Sequence, residues 1–196
     1  MIIQPALALL EFDSIAVGIT AGDAMVKRAP LDLLKAGTVQ PGKYLVLIGG
    51  EVADVEEAID AARIQTPDAL VDIVFLPDVH PDVVEALAGT RRTGDGEALG
   101  VIETTTVAAI IQAADAGVKG ARVTLRELRM ADGLGGKGYL LFGGSVADVE
   151  AGVAIGSARV GSQLIRDTVI AQLHPEMSDN LSVDGRFERL VRSEEE

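Results

Sequence analysis

The 196-residue chain is 48% hydrophobic but only 3% aromatic, has no tryptophan or cysteine, and carries a formal net charge of −13. That charge argues against nucleic acid and against an anionic membrane surface, both of which need Lys and Arg. Without cysteine there can be no disulfide, no thiolate catalysis, no zinc–thiolate site and no Cys-ligated iron–sulfur cluster. The segment Met1-Ile-Ile-Gln-Pro5 lacks a basic n-region and reads as a poor signal peptide. Glu11 and Asp13 interrupt the most apolar stretch, residues 6–19, well short of the roughly 20 residues of a membrane span.

Ala6–Phe12 reads as a buried strand. Ser14 is a plausible N-cap for a helix in which Ile15, Ile19, Met25 and Val26 fall near helical spacing, and Pro30 ends it after Lys27-Arg28. Leu31–Thr38 and Lys43–Ile48 read as strands flanking Val39-Gln40-Pro41-Gly42, and Gly49-Gly50 is expected to turn the chain into an amphipathic helix over Val52–Ile64. Ala69–Leu76 is a fourth strand, and His80–Leu87 a short helix. The order β-α-β-β-α-β plus a small terminal helix predicts an α/β (α+β) ferredoxin-like unit.

This unit is written twice. Ala8-Leu-Leu-Glu11 returns as Gly100-Val-Ile-Glu103 and Asp23-Ala-Met-Val-Lys27 as Asp115-Ala-Gly-Val-Lys119, both at an offset of 92. Gly49–Glu56 returns as Gly143–Glu150 at an offset of 94, and His80-Pro81 as His174-Pro175. The expected organisation is a first domain over 1–89, a Gly-rich linker over 90–97, a second domain over 98–182 and a charged tail over 183–196 that ends Ser-Glu-Glu-Glu. Two copies are too few for a solenoid, so each is expected to fold as a domain beside its twin.

No residue set points to catalysis. Gly37–Tyr44 resembles a Walker A loop but lacks the closing Ser or Thr and leads into a strand. Gly133-Leu-Gly135-Gly136-Lys-Gly138 matches G-x-G-x-x-G but precedes Tyr139-Leu-Leu-Phe142, another strand, so both loops read as tight hairpins. His80 and His174 occupy equivalent repeat positions and read as caps or contact residues rather than metal ligands. Asp54, Glu56, Glu57, Asp148 and Glu150 fall in first helical turns, where negative charge suits the helix dipole. Glu11 and Glu103 are charges inside apolar strands and need partners; Lys43 and Lys137 are the candidates. The expectation is a non-enzyme, with no metal and no cofactor, that acts through shape and assembly. A ferredoxin-like small-molecule sensor, with Gly-rich loops as ligand clamps, is the alternative.

On Leu9-Leu-Glu11, Ala21-Gly-Asp-Ala-Met-Val-Lys27, Pro41-Gly-Lys43, Gly49-Gly50 and Val52-Ala-Asp-Val55, and their second-copy echoes through Gly143-Gly144, the chain resembles the tandem-domain, trimer-forming shell proteins of bacterial microcompartments. It is most similar to the subtype found in propanediol-utilisation shells, in the non-permuted arrangement. The resemblance implies two BMC domains per chain and a homotrimer that mimics a hexameric tile in a cytoplasmic shell, beside hexameric tiles and pentameric vertices. It implies a central pore for small metabolites lined by Val39, Gln40, Pro41, Gly133, Leu134 and Gly135, and an assembly edge bearing Lys27, Lys119, His80 and His174. Gln40 stands where that subtype carries a cluster-binding cysteine, and Asp78 and Gln172 stand where many members carry arginine. A pore ringed by Gln40 would be metal-free and would favour small neutral or weakly anionic polar solutes.

Overall fold

The computed structural model describes residues 5–66, 68–93 and 96–183. Residues 184–196 of the charged tail and the centre of the 90–97 linker lie outside the described residues. In the first half, β1 (Ala6–Phe12), α1 (Ile15–Arg28), β2 (Leu33–Val39), β3 (Lys43–Gly50), α2 (Val52–Gln65), β4 (Leu70–Leu76) and α3 (Pro81–Leu87) follow in order. The second half repeats them as β5 (Ala98–Thr104), α4 (Val107–Gly120), β6 (Thr124–Met130), β7 (Gly138–Gly144), α5 (Val146–Val160), β8 (Leu164–Ile170) and α6 (Pro175–Ser182). Each half is a four-stranded antiparallel sheet, ordered β2-β3-β1-β4 and β6-β7-β5-β8.

The Gly49-Gly50 pair does not turn the chain as expected. Gly49 and Gly50 are the last residues of β3, opposite Leu7 and Ala6, and the helix begins beyond them at Val52. The lack of a side chain leaves the ladder intact, so the pairing partner decides where the strand ends. His80 lies just outside α3 as its N-cap, its Nδ1 accepting from the Asp82 N–H at 3.2 Å.

Alternation along β1 divides two cores. Ala6, Ala8, Leu10 and Phe12 pack with Ala21, Met25, Val55 and Ile59 of α1 and α2. Leu7 and Leu9 point to the other face and join a cluster with Ile110, Ile111 and Ala114 of α4. The second domain's helix is thus seated on the first domain's sheet, and β1 is buried on both faces.

The repeats fill equivalent core positions with complementary volumes. Gly18 touches Tyr44 in the first domain; at the equivalent places the second has Ile110 touching Gly138. Met25 and Ile48 are likewise answered by Gly117 and Phe142. A Cβ on Gly117 would lie 2.4 Å from Phe142 Cζ, and one on Gly138 2.3 Å from Ile110 Cγ2. Interiors packed at crystal-like density do not absorb such overlaps. Gly117→Met, which copies the first domain's residue, should therefore destabilise by about 1–3 kcal/mol in urea unfolding. Adding Phe142→Ile should recover part of the loss; strict additivity would show that the two positions are not a matched pair.

Candidate functional site

The site is the seam between the two domains, and Glu11 is at its centre. Its side chain is 0% exposed, with Lys43 Nζ 2.5 Å from Oε1. Oε2 accepts the Val107 N–H at 2.8 Å. Val107 is the first residue of α4, so a carboxylate from one domain satisfies an otherwise free N–H and meets the positive dipole end of the other domain's helix. Thr106 caps α4 by accepting from the Ala109 N–H at 3.3 Å, and its hydroxyl donates to Asp72 Oδ2 on β4. The Glu11–Lys43 pairing expected from sequence is present. The helix N-terminus as its third member had no local signal, because it lies 96 residues along the chain.

The C-terminal half of α4 is clamped as well. Asp115, 5% exposed, accepts the His80 backbone N–H at 2.8 Å through Oδ1 and holds Lys119 at 2.7 Å through Oδ2. Lys119 also donates to the Asp78 carbonyl. Of the residues expected at the assembly edge, His80 and Lys119 meet here, inside one chain. Among the described residues Lys27 pairs only with Asp23 of its own helix, at 2.5 Å, and its side chain is 72% exposed. His174 is the N-cap of α6, and its side chain makes no capping hydrogen bond among the described residues.

The loops expected to line a pore are brought together at the same seam. The Gln40 N–H donates to Asp132 Oδ1, and the Gly133 N–H donates to Gln40 Oε1, both at 3.1 Å. Gly133, Gly135 and Gly136 take positive φ of 74°, 63° and 85°, which favour glycine. A Cβ on Gly136 would also come within 2.8 Å of Pro41 Cδ. The G-x-G-x-x-G spacing is thus explained by a left-handed loop pressed onto its neighbour, with Gly138 buried under Ile110. Among the described residues no group of three or more His, Asp or Glu side chains is placed to hold a metal ion.

The second domain carries the same socket, which no helix of the described residues fills. An apolar groove of about 350 Å3 is lined by Leu99, Val101, Glu103, Leu141, Leu173 and Met177, among others. At the repeat offsets these are the counterparts of Leu7, Leu9, Glu11, Leu47, Val79 and Val83, the residues that hold α4. Glu103 pairs with Lys137 at 2.9 Å but is 35% exposed. Tyr139 on the same wall has its phenol pKa raised, by burial first and by the nearby Glu127 charge second. The helix that would match the socket is α1. Ile15, Ile19 and Val26 are 40%, 54% and 45% exposed, whereas their equivalents Val107 and Ile111 are both at 0% and Val118 packs against the core. The helical spacing of Ile15, Ile19 and Val26 therefore does not mark the face that packs on α1's own sheet; Gly18, Ala21, Gly22 and Met25 form that face.

The duplicated sandwich and its helix-capping carboxylate define a protein built from two like domains joined head to tail. The BMC domain family matches residues 6–79 and again 98–173. The chain belongs to that family and is a tandem-domain shell protein of bacterial microcompartments. It is 41% identical over 174 residues to the bacterial microcompartment shell protein PduT of Citrobacter freundii, covering 88% of this chain and 95% of that one. A crystal structure of a microcompartment protein from Desulfitobacterium hafniense DCB superposes with a TM-score of 0.77 at 40% identity, covering 89% of this chain and 98% of the other. A fused permuted hexameric shell protein from the RMM microcompartment shares the fold at a TM-score of 0.57 and 22% identity, over 79% of this chain and 83% of its own.

Removing one member of a buried ion pair costs about 3–5 kcal/mol. Glu11→Gln, which leaves Lys43 and the α4 terminus without a counter-charge, should lower the unfolding free energy on that scale. Glu57→Gln, whose pair with Arg28 is exposed on both sides, should cost less than about 1 kcal/mol. Urea titrations of the two variants that coincide would remove Glu11 from the centre of the seam.

Proposed function

We propose that three copies of this chain close into a ring of six domains that serves as a tile of the microcompartment shell, with small polar metabolites crossing at its centre. The observation that supports this reading is the mismatch between filled and unfilled seams. One socket holds α4; the equivalent socket is open; and α1, the equivalent helix, carries its apolar stripe in solvent. Seating α1 of a second copy in the open socket repeats the rotation that already relates the two domains. A head-to-tail contact repeated in this way closes a ring when the rotation is a whole fraction of a turn. Closure at three chains is what the family resemblance implies.

In such a ring the loops at Val39–Pro41 and Gly133–Gly135 of every chain face the common axis. Because Gln40 Oε1 is committed to the Gly133 N–H, its amide NH2 is the group left for a solute, which suits neutral or weakly anionic molecules. Lys27, Lys119, His80 and His174 then share one environment at six seams along the rim, where neighbouring tiles meet. Hexameric tiles and pentameric vertices complete the shell. A sensor reading would take the apolar groove as a ligand pocket, but the groove corresponds position by position to a face that already holds a helix.

Native mass spectrometry should return three chains. Ile19→Asp should shift the protein to monomers with unchanged secondary structure, whereas Ile64→Asp, at a 78% exposed site off the socket face, should leave the trimer intact. A monomeric native protein, or an Ile19→Asp trimer, would rule out the ring. Independently, Gln40→Cys should give disulfide-linked chains under mild oxidation, and the absence of cross-links would move Gln40 off the axis.

A further inference from the structure

The two sockets have diverged in charge. Across β1 and β4, Glu11 is opposite Asp72; across β5 and β8, Glu103 is opposite Arg166. With Lys43, the filled socket carries Glu11, Lys43 and Asp72, a formal charge of −1. With Lys137, the open socket carries Glu103, Lys137 and Arg166, a formal charge of +1. The helix starts have diverged to match. The segment entering α4 is Thr104-Thr105-Thr106, which is neutral, and its Thr106 hydroxyl donates to Asp72. The segment entering α1 is Phe12-Asp13-Ser14, with one negative charge. Asp13 and Arg166 are both exposed, and neither has an ion-pair partner among the described residues.

We propose that Arg166 selects the α1 start of a second copy by pairing with that copy's Asp13, so that each socket accepts only its own helix. This rests on the ring reading above. The α1 start placed in the first socket would put Asp13 at the place of Thr105, one residue from the hydroxyl that meets Asp72, so that two like charges would stand at one seam. The α4 start placed in the second would leave Arg166 facing three threonines and the positive end of a helix. The charge pattern therefore fixes the alternation of first and second domains around the ring. It also rejects chains that lack a carboxylate just before the helix cap.

Arg166→Asp and Asp13→Arg should each raise the concentration at which the trimer dissociates by on the order of 10-fold or more. Each trimer repeats the lost pair at three seams, and an exposed pair alone is a small term. The charge-swapped double variant Asp13→Arg/Arg166→Asp should return most of the way to the native midpoint. Raising salt from about 0.05 to 0.5 M should weaken the native trimer, whereas the single variants should lose less or gain. Singles that match the native midpoint, or a double variant no better than the singles combined, would overturn the pairing while leaving the ring standing. A native protein that forms no trimer at any concentration would instead overturn the ring itself.

Discussion

A single carboxylate organises this molecule. Glu11 lies fully buried in a strand that is covered on both faces, a position that is costly for a charge without partners. Lys43 and the first N–H of α4 are those partners, and they come from opposite sides of the domain boundary. The second domain's helix is therefore part of what makes the first domain's strand stable. The apolar contacts of Leu7, Leu9, Ile110 and Ile111 supply area, while the carboxylate fixes where the helix must begin. The His80–Asp115–Lys119 cluster fixes its far end.

Duplication explains why so much of the surface is unsatisfied. A seam that joins two copies of a fold inside one chain leaves one unused helix face and one unused sheet face. Here those are the exposed isoleucines of α1 and the groove around Glu103. Apolar surface of this kind, rimmed by polar and charged groups, is what interaction sites have in common. The repeats have also drifted in compensating steps, Gly18 with Tyr44 against Ile110 with Gly138, which keeps both cores full while making their parts non-interchangeable.

Much of this was legible in the sequence because the repeat is internal. Element order, the two-domain division and the Glu11–Lys43 pairing follow from hydrophobic pattern and from a charge in an apolar strand. Other features were not legible. The apolar residues of α1 look like a core stripe because periodicity marks an apolar face without saying what covers it. The strand end at Gly49-Gly50 differs from the sequence reading because glycine signals permission to turn, while β1 supplies the pairing that keeps the chain extended. The Gln40–Gly133 contact joins residues 93 apart, where no local pattern reaches. The apolar stripe that begins at Ile15 and at Val107 is written in both copies, yet its meaning emerges only once one helix is seen buried and its twin exposed.

In the ring, the open socket of one chain holds α1 of the next. A single-particle electron microscopy map of the purified protein tests it most directly. The map should show a threefold ring with α1 lying across Leu99, Val101 and Leu141 of the neighbouring chain, and with the Ile15 N–H against Glu103 as the Val107 N–H is against Glu11. A map in which that groove is bare, or is covered by residues of its own chain while α1 faces solvent, would contradict it.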